Sequence, residues 1–563
     1  MATLKSKTLF FTTSPRTPTK MIPEIKLLFD KFQGEKWDTS SQIRFMEFLS
    51  ADQSFNGSGA NDPAFSARDR INRAPKALGF VDLKPTIQIT EAGSQFISGI
   101  RTEEILLRQL LKFQIPSPYH KEKEGEESIF FVKPYLEIFR LIYSLEKVSF
   151  DEVMIFGMQL TNYQKFDEVL GKILDFRANR IKYRGSYKEY LNIVFNNELQ
   201  EIYKTEIKSG QTETRESNDD SLQKFLKTKQ RNHHDYTDAC FRYLRATGMV
   251  SLSQKGKSLS IMEEKKVEIE FILTSIEREP KHIDDEKEYK AYLFNAHIPV
   301  LYTDNKDNLK EFILKRNDFG EELLVEKTID ELKDIREFIL ETRRERIISE
   351  QVATLKSFSE ESYRDVIATY ESIINRDFYD LPLMLEWNTW RAMTMLNGGE
   401  IKGNFKLDDN GEPMSTAQGN RADIECDYGD FGAIVEVTLQ SGQRQYESEG
   451  EPVARHLARY KDVLGKDAFC IFIAPTINEA AIAHFFMLSK TSISYYGGMS
   501  TIIPIELNAF IQMIKNTLDS GHLPSSNCIQ ELFEFSKSVA ETAKDETQWY
   551  NALQDKAHNW LTA

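Results

Sequence analysis

The sequence predicts a multidomain α+β protein, and three observations lead to that prediction. The chain has 563 residues, several times the ~100–200 residues of a usual domain. A helix, a glycine and a hairpin follow one another twice in the first half, whereas apolar strands alternate with helices in the last third. The composition, 40% hydrophobic and 28% charged, is typical of globular chains. Four segments are predicted, with boundaries at 1–125, 126–261, 262–351 and 352–563.

The charge is distributed unevenly along the chain. The formal net charge of −15 taken alone argues against a nucleic-acid partner. However, residues 1–260 sum to +6 and residues 261–563 to −21. This asymmetry predicts that the halves have different functions, one binding a polyanion and the other binding metal ions.

The first segment, 1–125, has the element order of a winged helix. Residues 64–80 have helical spacing, with Pro75 expected to kink or restart the helix, and Gly79 ends it. Residues 81–90 alternate as a strand pair around Lys84-Pro85. The polar stretch 120–128 is predicted to be a linker.

The second segment, 126–261, repeats this order at its end. A basic helix, predicted over 234–249, closes on a glycine and runs into a hairpin at 250–261. We therefore predict tandem winged-helix modules. Further helices are predicted over 133–145, 150–158 and 165–180, and a mobile loop over 210–220.

The third segment, 262–351, is predicted to be a helical linker that contains a long helix over 328–351. The fourth, 352–563, is predicted to be an α/β domain with a mixed sheet and helices on both faces. Its predicted strands and helices are, in order, helices 363–374 and 383–396, strands 424–427 and 432–438, helix 453–464, strand 468–474, helix 477–488 and strand 500–504.

Acidic residues occupy strand positions in this last segment. Asp423 begins one strand and Glu436 lies within the next, in IVEVT. A carboxylate in an apolar strand is costly unless it is paired, protonated or bound to a cation. The spacing predicts that the two converge on a hard cation such as Mg²⁺, and the alternative is a surface ion pair of Asp423 with Arg421 or Arg444.

This arrangement resembles the PD-(D/E)xK nuclease core, in which such carboxylates hold Mg²⁺ and the metal activates a water. The sequence departs from that pattern at two positions. Thr438 stands where the core has lysine, and Ala422 stands where it has proline.

Several strings extend the resemblance to a family. SPRTPTKMIPEIKLL (14–28), AFSARDR (64–70), GFV (79–81), ITEAG (89–93), GN-x-ADIE (419–425) and EVT…ESEGEPVARH (436–456) occur in this order. They closely resemble the type IIS restriction endonuclease family of AlwI, PleI and MlyI, which includes strand-specific nicking enzymes. The resemblance implies an N-terminal region that recognises a short asymmetric site in double-stranded DNA, a helical linker, and a C-terminal Mg²⁺-dependent nuclease.

The resemblance also implies site residues. Asp423 and Glu436, with the Val437 carbonyl, would hold metal, and Glu386 would be an outer or second-metal ligand. Glu449 and Gln445 would position water. For His456 a structural hydrogen bond is expected, with proton acceptance as the alternative.

Basic residues of the first half are candidates for DNA contact. Arg suits guanine and Asn suits adenine in the major groove, whereas Lys suits phosphates; a plain solvated face is the alternative for any one of them. The candidates are Arg16, Arg68, Arg70, Asn72, Arg73 and Lys76 in the first module, and Lys227, Lys229, Arg231, Arg242 and Arg245 in the second.

Together these features predict a type IIS restriction endonuclease that cuts a few base pairs outside its site. The alternatives are a nicking endonuclease, the large subunit of a heterodimeric enzyme, or a catalytically inactive winged-helix regulator. Double-strand cleavage would need transient dimerisation through the nuclease domain or a small second subunit, and the host would need a cognate DNA methyltransferase. The four dispersed cysteines and the short apolar run at the N-terminus predict a cytoplasmic protein without a membrane segment.

Overall fold

In the computed structural model the chain forms two compact units, one up to Ile339 and one from Leu340. The structure describes residues 2–3, 6–51, 62–121, 129–214, 219–253, 256–316, 320–396, 399–417, 419 and 421–561. Most of the predicted linker 120–128 and the centre of the predicted loop 210–220 lie outside the described residues. The predicted helical segment 262–351 spans the boundary between the units.

The first unit opens with a helical group and a hairpin. Its elements are β1 (Ala2–Thr3), α1 (Met21–Phe32), α2 (Thr39–Ala51), α3 (Pro63–Asn72), α4 (Ala74–Ala77), β2 (Val81–Asp82), β3 (Gln88–Ile89), α5 (Glu91–Ile97) and α6 (Thr102–Lys112). The helix predicted over 64–80 is two helices, because each half begins at its own proline, Pro63 and Pro75. The Asp62 carboxylate caps α3 by accepting from the N–H of Phe65. The predicted hairpin is the antiparallel pair β2 and β3.

The remainder of the first unit is mainly helical around one small sheet. Its elements are β4 (His120–Lys121), α7 (Pro134–Leu145), β5 (Lys147–Ser149), α8 (Phe150–Ile155), α9 (Phe166–Lys182), α10 (Tyr187–Ile202), α11 (Lys204–Ser209), α12 (Leu222–Arg245), β6 (Val250–Ser253), β7 (Ser258–Ile261), α13 (Lys266–Ser275), α14 (Glu286–Phe294) and α15 (Lys306–Arg316). Strands β5, β7 and β6 form an antiparallel sheet in that order, and β1 pairs with β4.

The long helix α16 (Ile329–Lys356) begins in the first unit, within the segment predicted as a linker. Leu332 and Ile339 of α16 join Leu309, Ile313 and Leu324 in a buried apolar cluster. This part of the predicted linker therefore has a core of its own.

The second unit is built around a mixed five-stranded sheet. Its remaining elements are α17 (Glu360–Ile374), α18 (Leu381–Leu396), β8 (Glu400–Gly403), β9 (Lys406–Leu407), β10 (Pro413–Ser415), β11 (Ile424–Asp427), β12 (Gly432–Val437), α19 (Gln443–Leu464), β13 (Ala468–Ala474), α20 (Glu479–Lys490), β14 (Ile502–Glu506), α21 (Leu507–Ser520), α22 (Ser526–Thr542) and α23 (Glu546–His558). The small hairpin β9–β10 stands apart from the main sheet.

The main sheet has the order β14-β13-β12-β11-β8. Strands β12, β13 and β14 are parallel, whereas β11 is antiparallel to both β12 and β8. Every residue of β13 is buried, as expected for a parallel strand covered on both faces. The predicted mixed α+β class is confirmed, while the winged-helix and PD-(D/E)xK arrangements stay predictions. No described helix combines the length and apolarity needed to cross a membrane.

Candidate functional site

The two carboxylates singled out by spacing meet at the end of the β11–β12 ladder. The antiparallel register pairs Ile424 with Val435, so the next residues outward, Asp423 and Glu436, lie opposite each other and project to one face. Asp423 Oδ2 accepts a hydrogen bond from the backbone N–H of Val437 at 2.8 Å. Burial raises the pKa of Glu436, and the Asp423 backbone lies close enough to the Glu436 carboxyl to offset part of that rise. The Val437 hydrogen bond thus ties the Asp423 carboxylate to the end of β12.

Two further carboxylates join them from helices. Glu386 of α18 is 7% exposed, and its Oε2 accepts from the backbone N–H of Ala417 at 2.8 Å. Glu449 of α19 lies near the side chain of Thr438, which offsets part of the rise that burial causes in the pKa of Glu449. Asp423, Glu436, Glu386 and Glu449 are called the carboxylate cluster below.

The electrostatics of the carboxylate cluster are those of like charges held near one another, with Glu386 and Glu436 buried and Asp423 and Glu449 half-buried. Burial, and then the charge of Asp423, raise the pKa of Glu386 well above its usual range. Burial followed by Glu436 raises the pKa of Asp423, and burial followed by Glu449 raises that of Glu436. Glu449 also has a raised pKa because of burial. Four ionised carboxylates at such a site require a cationic partner.

The chemistry of these donors fits a hard divalent cation, since all are carboxylate oxygens. Among the described residues, however, no three His, Cys, Asp or Glu side chains already stand in the arrangement of a metal site. One oxygen each of Asp423 and Glu386 is held by a backbone N–H. Val437 contacts the Asp423 carboxylate through its N–H, and metal binding by its carbonyl stays a prediction.

The ion-pair alternative for Asp423 does not describe this site. The charges that act on Asp423 are those of Glu436 and Glu449, not those of Arg421 or Arg444. Asp423 therefore lies among carboxylates of like charge, whereas the carboxylate of a surface ion pair lies next to a cation.

His456 makes the structural hydrogen bond expected of it, and its partner is Glu436. The His456 Nδ1 atom lies 2.8 Å from Glu436 Oε1, and both side chains are buried. Burial, with Arg455 and Arg459 nearby, lowers the pKa of His456 to about 4. A neutral imidazole with its proton on Nδ1 donates to the carboxylate and fixes the orientation of Glu436.

Gln445 requires a correction. Its Nε2 donates to the carbonyls of Gln440 and Thr476, each at 2.9 Å, and its Oε1 accepts from the N–H of Asn478 at 2.7 Å. Both amide hydrogens are therefore used to hold the backbone, and the side chain is fully buried. Gln445 has no donor left to position a water and is a structural residue at the start of α19.

Three of the predicted DNA contacts line a cavity of about 440 Å³ between α2, α3 and the β2–β3 hairpin. Arg68 and Asn72 belong to it, as does Lys76, whose ammonium lies 4.7 Å from the ring centre of Tyr119. Burial, followed by the charge of Lys84, lowers the pKa of Lys76. The cavity was missed as a whole because Lys36, Trp37, Gln42 and Lys84 come from other elements.

The other candidates of the first module form ion pairs. Arg70 bonds Glu24 at 2.5 Å, and Arg73 bonds Asp69 at 2.5 Å while 50% of its side chain is exposed. Arg16 pairs with Asp235 of α12 at 2.9 Å. Arg73 and Arg16 are the more accessible of the three.

The candidates of α12 divide by exposure. Lys227 and Arg231 are exposed, whereas Lys229 lies over the rings of Tyr203 and Phe225. Arg242 bonds Asp238 at 2.9 Å. The prediction for Arg245 was wrong, because its side chain is 1% exposed and is enclosed at the buried end of α12, where DNA does not reach it.

Comparisons with known proteins find similarity to restriction endonucleases. A family model described as AlwI restriction endonuclease matches residues 76–513. The small subunit (R.BspD6I2) of the heterodimeric restriction endonuclease R.BspD6I is 26% identical, over 35% of this chain and 96% of that one, with a TM-score of 0.28. The BpuJ1 endonuclease binding domain, in complex with pyrene- and phenanthrene-modified DNA, is 13% identical over 49% and 92%, with a TM-score of 0.31. No curated protein matches the chain.

Proposed function

We propose that this chain, which belongs to the AlwI restriction endonuclease family, is a type IIS enzyme that binds a short asymmetric site in double-stranded DNA. In this proposal the enzyme uses Mg²⁺ to hydrolyse phosphodiester bonds a few base pairs outside that site. The observation that carries the proposal is the carboxylate cluster. Four neighbouring carboxylates with raised pKa values, two of them buried and two half-buried, are costly to the fold, and a cation-dependent reaction accounts for them.

In this proposal Asp423, Glu436 and the Val437 carbonyl hold the metal, with Glu386 as a further ligand. Bound Mg²⁺ supplies a Lewis acid that activates water and offsets charge on the scissile phosphate. His456 Nδ1 keeps Glu436 oriented. The Thr438 side chain, at the position where related cores have lysine, lies near Glu449, whose carboxylate accepts a proton from the attacking water.

The variants Asp423→Asn and Glu436→Gln test this assignment. We expect each to lower cleavage by more than about 100-fold, since even second-layer changes at metal sites cost 10- to 100-fold, and to leave specific DNA binding intact. Run-off sequencing of DNA cut with Mg²⁺ measures the site, the offset and the strand for the unmodified protein. The matched control is Glu447→Gln, an exposed carboxylate of α19, which should cut normally. Undiminished cleavage by both cluster variants would contradict the assignment.

A second candidate function is strand-specific nicking, alone or as the large subunit of a heterodimer. The described residues gather one such carboxylate cluster, and one cluster cuts one strand at a time. Double-strand cleavage then requires transient dimerisation or a small second subunit, and a host methyltransferase would protect the same site. Supercoiled plasmid incubated with the pure protein and Mg²⁺ separates these cases. Open circles without linear product indicate nicking, linear product indicates double-strand cleavage, and specific binding without cleavage with any divalent metal indicates an inactive regulator.

A further inference from the structure

A hydrogen-bond chain in the wall of the cavity between α2, α3 and the β2–β3 hairpin, called the α3 cavity below, connects two predicted DNA contacts to two residues without an assigned role. The Trp37 indole Nε1 donates to Asn72 Oδ1 at 2.8 Å. The Trp37 backbone carbonyl accepts from Gln42 Nε2 at 3.2 Å, and Gln42 Oε1 accepts from Arg68 Nη1 at 2.8 Å. Asn72 and Arg68 are thus joined through Trp37 and Gln42.

The two ends of this chain face the same way. Arg68 and Asn72 are four residues apart in α3, a spacing that places side chains on one face of a helix. Both line the cavity of about 440 Å³, together with Lys36, Lys76 and Lys84. Asp38 also lines the cavity, but the three lysines and Arg68 outnumber it, so the lining is positive, which suits a polyanion.

The middle of the chain is anchored in the protein core. Gln42 is 5% exposed and Phe45, one turn along α2, is fully buried. The Trp37 ring meets Phe45 edge-on, with 5.8 Å between ring centres. Trp37 and Gln42 therefore have a fixed support, whereas Asn72 is exposed and depends on the indole for its orientation.

The hydrogen bonds select one orientation of each end group. With Oδ1 accepting from the indole, the Asn72 amide keeps one lone pair and both N–H groups, the set that adenine N6 and N7 require. Flipping the amide would place an N–H against the indole N–H. Arg68 gives one Nη1 hydrogen to Gln42 and keeps its other donors, which suit guanine O6 and N7.

We propose that Trp37 and Gln42 are positioning residues that hold Asn72 to read an adenine and Arg68 to read a guanine within the recognition site. The inference rests on the proposed function, since it requires sequence-specific DNA binding. The Trp37–Asn72 bond competes with water in the free protein, and it strengthens when DNA excludes water from the cavity. Trp37 thus acts on base discrimination more than on folding.

The test is selection of binding sites from randomised duplexes by the full-length protein, followed by sequencing. We expect Asn72→Ala to reduce discrimination at one base pair by about 10- to 100-fold. Trp37→Phe, which keeps a ring but removes the N–H, should reduce discrimination at that same base pair by about 3- to 10-fold and leave the others unchanged. The double variant should equal Asn72→Ala alone. Gln42→Met should likewise reduce discrimination at one base pair, the same base pair at which Arg68→Ala reduces it.

Arg44→Ala is the control, because Arg44 lies on α2 and pairs with Glu35 but does not line the cavity. Its binding profile and thermal unfolding should match those of the unmodified protein, and the thermal unfolding of Trp37→Phe should remain close to it. If the unmodified protein enriches no sequence, the proposed function fails and this inference with it. If it is specific but Trp37→Phe leaves the Asn72-dependent base pair unchanged, or weakens all sequences equally, only the inference is overturned.

Discussion

Lys112 of α6 shows how a buried lysine side chain is accommodated in the first unit. Its side chain is fully buried, and its Nζ donates to the carbonyls of Leu293 at 2.8 Å and Asn295 at 2.5 Å. Burial, and then the charge of Arg108, lower the pKa of Lys112 to about 7. A neutral amine has two hydrogens, and both are satisfied by these carbonyls.

The lowered pKa of Lys112 predicts how the stability of the variant Lys112→Met depends on pH. Between pH of about 7 and 10.5 the unfolded chain binds a proton at Lys112 that the folded chain does not, so the lysine's contribution to stability rises with pH. The variant should therefore become progressively less stable than the unmodified protein above pH 7, by at most about 1.4 kcal/mol per pH unit. Denaturant unfolding at several pH values measures this difference.

Lys188→Met is the matched control, because Lys188 is an exposed lysine of α10. Its free energy of unfolding should follow the unmodified protein at every pH. A difference between Lys112→Met and the unmodified protein that does not change with pH would show that Lys112 is charged in the fold.

At this scale the sequence predicts some residues well and others poorly. Asp423 and Glu436 were identifiable because carboxylates within apolar strands are conspicuous and the hairpin spacing is short. Arg245 was not, since charge alone does not show that a helix end is surrounded by other elements; the apolar residues beside it in CFRYL were the available signal. The role of Gln445 was predicted wrongly because its three hydrogen-bond partners are backbone groups outside α19. Gln440 lies before the helix, and Thr476 and Asn478 lie after β13.

Among the elements, some strands were predicted closely and others were not. The predicted bounds of β11 and β13 are those observed, because β13 is one continuous apolar run and β11 alternates apolar with acidic residues. Strand β14 begins two residues after its predicted start, and the edge strand β8 was not predicted. Helix α19 begins at Gln443, ten residues before the predicted start, and carries Pro452 inside it. Proline costs a helix one hydrogen bond, but buried residues on both sides of Pro452, from Gly450 to Leu457, hold this helix in place. Tertiary packing of that kind is not visible in local sequence.

Two helical glycines offer a matched test of how closely the elements pack. A Cβ on Gly93 of α5 would lie 1.9 Å from the carbonyl oxygen of Phe80, whereas one on Gly171 of α9 would meet nothing within 4 Å. We expect Gly93→Ala to lower the free energy of unfolding by about 3 kcal/mol or more. Gly171→Ala should raise it by about 0.5–1 kcal/mol, since alanine restricts the unfolded chain and favours helix.

Urea unfolding of both variants measures these changes, and each glycine serves as the control for the other. Similar small effects at the two positions would show that α5 does not approach the Phe80 backbone closely.

At the scale of the whole molecule, the charge asymmetry changes when it is counted by structural unit. Residues up to 339 sum to −2 and residues from 340 to −13. The acidic stretch 261–339 belongs to the same unit as the basic N-terminal half, and ion pairs such as Arg101–Asp330 at 2.6 Å neutralise basic residues of that half. The positive charge available to DNA is therefore local, concentrated at the α3 cavity and on the exposed face of α12.

The strongly negative second unit leads to a last prediction. A fragment of residues 340–563, which has its own sheet and core, should not cut DNA in the presence of Mg²⁺ at ionic strengths of about 0.01 M, where repulsion acts over about 30 Å. The reason is that its net charge of −13 repels the duplex, so cleavage requires the first unit to bind the site. Circular dichroism verifies folding, and the full chain on its own site is the positive control. If the folded fragment degrades DNA freely, its negative charge does not prevent cleavage. In the full chain, cleavage away from the site would then be prevented by the first unit.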